Sequence, residues 1–84
     1  MLFALIVAVA ASGAQCGDRE QTLKQFERLY GEKVVARGVM TGRLMEILAS
    51  PSGTWSIFIT DPRTKQACIL AAGDGFDDRI WEWF

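Results

Sequence analysis

The chain contains no histidine. That removes the commonest general base and the commonest metal ligand. Cysteine occurs twice, as Cys16 and Cys68, and never as C-x-x-C, so a thiol–disulfide redox centre is excluded. No serine-nucleophile motif is present. Gly73-Asp74-Gly75 is too short for a phosphate-cradling loop, and it lacks the spaced acids and closing Glu of a calcium loop. Charge of one sign is also missing. Nine Lys or Arg stand against ten Asp or Glu, a net charge of −1. Such a balance offers no electrostatic case for nucleic acid or for an anionic membrane surface. Acidic residues gather late, at Asp74, Asp77, Asp78 and Glu82, where a solvated face accounts for them better than a weak calcium site does. No cofactor and no metal is expected.

Residues Leu2 to Ala11 are all apolar, and the first charged side chain is Asp18. A run this short falls below the roughly 20 residues that cross a bilayer. It fits the hydrophobic part of a secretory signal, about 7–15 residues long. Ser12 and Ala14 then suit the small-residue positions of a cleavage site. The expected cut lies between Ala14 and Gln15, with Ala10 and Ala11 as alternatives. The n-region carries no basic side chain, so the α-amino group supplies its charge, or the start lies upstream. Gln15 before Cys16, and Gly13 three positions before it, argue against lipidation of that cysteine. The division is therefore a signal peptide over 1–14 and one small domain over 15–84, periplasmic or secreted, with no stable membrane insertion after cleavage.

Asp18 can cap a helix, and Gln21 completes a capping-box pattern. Leu23, Phe26, Leu29 and Tyr30 recur at helical spacing, and Gly31 suits the position just past the last turn. Beyond Gly31 the period changes to two. Strands are expected over Val34–Met40, Arg43–Ala49, Thr54–Thr60 and Lys65–Ala71. Thr41-Gly42, Ser50-Pro51-Ser52-Gly53 and Asp61-Pro62-Arg63-Thr64 supply the turns. In the third strand Trp55, Ile57 and Ile59 alternate with Ser56, Phe58 and Thr60, and the first set reads as core. Short connections imply an antiparallel meander. The expected fold is α+β: one N-terminal helix packed on a four-stranded antiparallel sheet, in two layers.

In an oxidising compartment the two cysteines pair, and only one intramolecular pairing exists. Cys16 lies just before the helix cap and Cys68 lies inside the last strand, so the bond joins the two ends of the domain.

These residues together resemble a known group. Cys16, Leu29-Tyr30-Gly31-Glu32, Ala36-Arg37-Gly38, Glu46, Ser50 through Trp55, and Cys68 through Ala72-Gly73 look like small uncharacterised exported proteins of proteobacteria and their phages. The resemblance covers most of the mature chain. It implies a Gram-negative periplasmic setting and transfers no active site. Members of that group end soon after a Gly-x-x-Trp-Glu segment, whereas Ile80-Trp81-Glu82-Trp83-Phe84 extends further here.

Aromatic residues are the remaining signal. Trp81, Trp83 and Phe84 crowd a segment that a small sheet has limited capacity to bury, and tryptophan is enriched in binding hot spots. They either fold back over the open sheet face or contact a partner. Glu46 falls within an apolar strand, and an exposed or edge position is expected for it. The reading that follows is a non-enzymatic exported binding or modulator protein, of phage or prophage origin, whose partner is an envelope or periplasmic protein. The alternatives are a small hydrolase or lysis accessory using carboxylates such as Glu46 and Asp74, and a structural component of an envelope or virion assembly. Mass spectrometry of protein isolated from its native host tests the export step. An N-terminus at Gln15 is expected, and an intact Met1 on the mature species refutes it.

Overall fold

The computed structural model of the protein describes residues 15–77. The segments 1–14 and 78–84 lie outside them, so the signal-peptide reading and the expectations for Trp81, Trp83 and Phe84 also lie outside. A short strand β1 (Cys16–Asp18) leads directly into helix α1 (Arg19–Tyr30). Four more strands follow: β2 (Lys33–Met40), β3 (Arg43–Ala49), β4 (Trp55–Asp61) and β5 (Gln66–Gly73). They form one antiparallel sheet in the order β1-β5-β4-β3-β2.

The α+β class and the meander of the last four strands agree with the expectation. The strand count and the helix's position do not. The sheet has five strands, and the helix follows the first of them. The reason is local. Three residues, with Gly17 in the middle, carry no readable alternation. β1 forms because the ladder pairs Cys16 with Cys68, Gly17 with Ala67 and Asp18 with Gln66.

The helix ends behave as their chemistry requires. The Asp18 side chain accepts from the Gln21 amide at 3.1 Å. Gly31 takes the left-handed conformation at φ 70°, and its amide closes on the Glu27 carbonyl. Thr41 and Gly42 both have positive φ, which makes the two-residue β2–β3 connection a twist-matched hairpin turn. The Gly53 amide donates to the Ser50 carbonyl at 3.0 Å, closing the Pro51 turn.

α1 covers one face of the sheet. Leu23 and Phe26 descend onto Leu48, Phe58 and Ala67, flanked by Val34 and Ile69. The Phe26 ring meets Phe58 edge-on at 4.9 Å and Tyr30 at 5.2 Å. Leu29 departs from the expected stripe and is 53 % exposed. The helix is twelve residues long and none of its side chains is fully buried, so its docking needs help from outside the apolar contact.

Part of that help is covalent. Cys16 and Cys68 are joined, with Cα atoms 4.0 Å apart and 52 residues of separation. In the chain-entropy account, closing a loop of that length stabilises by about 4 kcal/mol, comparable to the whole stability of a small domain. Reduction under native conditions is therefore expected to lower the melting temperature by tens of degrees or to unfold the domain. A Cys16→Ser, Cys68→Ser protein that melts like the wild type contradicts this.

Candidate functional site

The covered face of the sheet is unexpectedly polar. Alongside Leu48 and Phe58 it carries Glu46, Ser56 and Thr60, all essentially without solvent access. Glu46 corrects the expectation of an exposed or edge position. It lies on β3, inside the sheet, and its exposure is 0 %. Burying a carboxylate is costly unless cations and donors surround it. Arg19, the first residue of α1, makes a two-pronged contact: Nε donates to Oε1 at 2.8 Å and Nη2 to Oε2 at 2.7 Å. Arg37, the cross-strand partner of Glu46 on β2, donates from Nε to Oε2 at 2.9 Å. The hydrogen bonds from Arg19 hold the Glu46 carboxyl below its ordinary pKa; burial opposes them and Arg37 reinforces them. A carboxylate so engaged is a structural anchor. Of the carboxylates named for hydrolysis, Glu46 is thus already committed. Asp74 is exposed on the chain after β5.

A second buried carboxyl was not singled out from the sequence. Glu32 follows the helix cap and is 2 % exposed. Its Oε1 has no hydrogen-bond partner, and the Thr60 hydroxyl is likewise unpartnered. Burial pushes the Glu32 carboxyl above its ordinary pKa, and hydrogen bonding to Ser56 and Thr54 offsets part of that rise. The only sequence cue is its position directly after the cap glycine.

The opposite face is apolar. Met45, Ile47, Trp55, Ile57 and Ile59 project from it, each only partly buried, with no element over them among the described residues. Trp55 is therefore not core, which corrects the expectation. β4 alternates as expected, but the helix covers the Ser56–Phe58–Thr60 side. The Trp55 indole packs against Gly73, its cross-strand partner, where an added Cβ would come within 2.8 Å of the ring. Its Nε1 donates to the Asp74 carbonyl at 3.1 Å. A shallow depression of about 450 Å³ at one end of this face is floored by Met40, Ile59, Cys68 and Leu70. The cleft between α1 and the β1–β5 edge is smaller, about 220 Å³, and is lined by Phe26, Tyr30 and Ile69 among others. That is below the size of pockets that enclose drug-sized ligands.

Among the described residues no group of three or more His, Cys, Asp or Glu side chains could hold a metal, and no helix is long and apolar enough to cross a membrane. Of the acids weighed for calcium, Asp74 and Asp77 are described and Asp78 is not. Comparison with protein-family models, with curated proteins and with solved structures returns no match.

The two buried glutamates bias stability with pH in opposite directions. Glu46 has a depressed folded pKa, so its contribution is present above the ordinary glutamate value and is lost as pH falls through the folded one. Glu32 has a raised folded pKa, so its contribution is present below the ordinary value and is lost as pH rises through the folded one. Chemical denaturation across pH is expected to show greatest stability under mildly acidic conditions. Glu32→Gln is expected to stabilise at neutral pH and to flatten the decline on the alkaline side. Glu46→Gln is expected to destabilise by about 2 kcal/mol at neutral pH, since two guanidiniums lose their carboxylate. A Glu32→Gln profile that parallels the wild type refutes the assignment.

Proposed function

We propose that the chain is a non-enzymatic exported binding or modulator protein whose partner is an envelope or periplasmic protein. The carrying observation is the apolar sheet face of Met45, Ile47, Trp55, Ile57 and Ile59, left uncovered among the described residues. Monomeric proteins rarely leave a contiguous apolar surface of this kind without a use for it. The helix lies on the more polar face instead, held there by Glu46 and Arg19. The disulfide supports the exported setting, because such bonds persist in oxidising compartments. The resemblance to small exported proteins of proteobacteria and their phages supports a periplasmic site of action and a phage or prophage origin. Trp81, Trp83 and Phe84 belong to this reading as further partner contacts, in a segment outside the described residues.

The test is capture from periplasmic extract with the disulfide-bonded protein as bait. Wild type is expected to retain a defined protein that an Ile57→Lys, Ile59→Lys variant loses while keeping its helical circular dichroism. Equal capture by both proteins, or turnover of envelope polymers by the wild type, overturns the reading. Recovery of the protein as a stoichiometric part of purified virions assigns it to a structural assembly instead.

A further inference from the structure

The sheet face turned away from α1 carries Met45, Ile47, Trp55, Ile57 and Ile59, each half-buried and with no described element over it. Its size narrows the choice of occupant. The four long strands have seven or eight residues each. At the usual strand and residue spacings they present a face of roughly 19 by 23 Å, or about 450 Å². Stable association of two proteins buries about 800 Å² on each partner. A second copy laid face to face on this surface falls short of that.

The chain's own continuation fits better. Past β5 the Asp74 carbonyl accepts from Trp55 Nε1 at 3.1 Å, and the Phe76 amide donates to the Gly53 carbonyl at 2.9 Å. Trp55 belongs to the outer face, so these two bonds bring the chain out at the Trp55 corner of that face. Residues 78–84 include Ile80, Trp81, Trp83 and Phe84. Seven residues reach up to about 23–25 Å. The distance across the strands from β5 to β2 is roughly 14–19 Å, so the segment can span the face. Aromatic side chains bury about 150–250 Å² each, so the two indoles and the phenyl ring together match the face in area. We propose that residues 78–84 seat Trp81, Trp83 and Phe84 on the outer sheet face in the unliganded protein, and that a partner gains this face by displacing them. The proposal adds regulation to the binding reading above and rests on it. Once displaced, the same rings are the partner contacts which that reading assigns to them.

The test uses the disulfide-bonded full chain. In wild-type protein that sediments as a monomer, Overhauser contacts are expected between the ring protons of Trp81 or Trp83 and the methyl groups of Ile57 or Ile59. The dye 1-anilinonaphthalene-8-sulfonate, which adsorbs to exposed apolar surface, is expected to bind wild type weakly. A Trp81→Ser, Trp83→Ser, Phe84→Ser variant is expected to bind it about threefold more strongly or better, with unchanged helical circular dichroism. Adding Ile57→Lys, Ile59→Lys to that variant is expected to remove the gain. Absence of the ring–methyl contacts, or equal dye binding by wild type and the serine variant, overturns the proposal. So do contacts that appear only in a concentration-dependent dimer, because they assign the face to a second copy. The protein retained from periplasmic extract, added to wild type, is expected to abolish the contacts, and contacts that survive its binding overturn the displacement. The two readings fail separately. If capture from extract depends on Ile57 and Ile59 while the rings never touch the face, the seating falls and the binding reading stands. If the rings seat as described while nothing is captured, the seating stands and the periplasmic partner falls.

Discussion

The Glu46 carboxylate has no access to water, and a carboxylate so placed must find cations close by. Arg19 and Arg37 meet that demand from two different elements. Arg19 is the first residue of the helix and follows directly on β1. Satisfying Glu46 therefore fixes where the helix starts, which face it lies on and where β1 must end. The apolar contact alone is thin, with Leu23 and Phe26 half-buried over Leu48, Phe58 and Ala67. Such a contact tolerates sliding, whereas a two-pronged guanidinium contact does not. Buried ion pairs are poor sources of net stability, because desolvation offsets the attraction. Here the pair supplies register.

Placing the helix over Glu46 has a consequence for the rest of the sheet. In β4, Ser56, Phe58 and Thr60 go under the helix, and Trp55, Ile57 and Ile59 go to the open side. Hydrophobicity alone would choose the other way round. The face that is covered is the one on which Arg19 meets Glu46, so the burial of that carboxylate and the position of the helix go together. Trp55 then finds a local solution: its ring rests on Gly73, which has no side chain to obstruct it, and its N–H reaches the Asp74 carbonyl. The Trp55 and Gly73 of the sequence pattern are thus two halves of one cross-strand contact.

Elements with a strong local cause were legible before the structure. Asp18, Gln21 and Gly31 bounded the helix to within a residue, and the four long strands and their turns followed from alternation and from Gly and Pro chemistry. The disulfide followed from compartment and count. What escaped detection depends on distant residues. β1 has three residues and exists through its pairing with β5 and the Cys16–Cys68 bond. Alternation separates the two faces of β4, but which one is buried depends on tertiary contacts such as Arg19 with Glu46, across 27 residues. Glu32 gave no cue beyond following Gly31, and its burial is a tertiary fact. The candidate site was less legible than the fold for the same reason: an open face is defined by what fails to cover it.

The two edges of the sheet are treated differently, and one covalent bond explains the difference. At the β5 side the chain needs only three residues to finish the sheet, because the disulfide holds them in register without the length that a free-standing edge strand requires. The Ile69 amide even extends the pairing to the Gln15 carbonyl. That edge is short, stapled and followed at once by the helix. At the β3 side no such bond exists, and β2 must earn its place by length, eight residues paired along the hairpin with β3. A strand long enough to be stable there is also long enough to offer a ladder on its far side. Among the described residues one edge is thus short and stapled, and the other is long and held by its hairpin alone. The apolar face between the edges extends to the long one, since Met40 of β2 and Ile59 of β4 border the same depression.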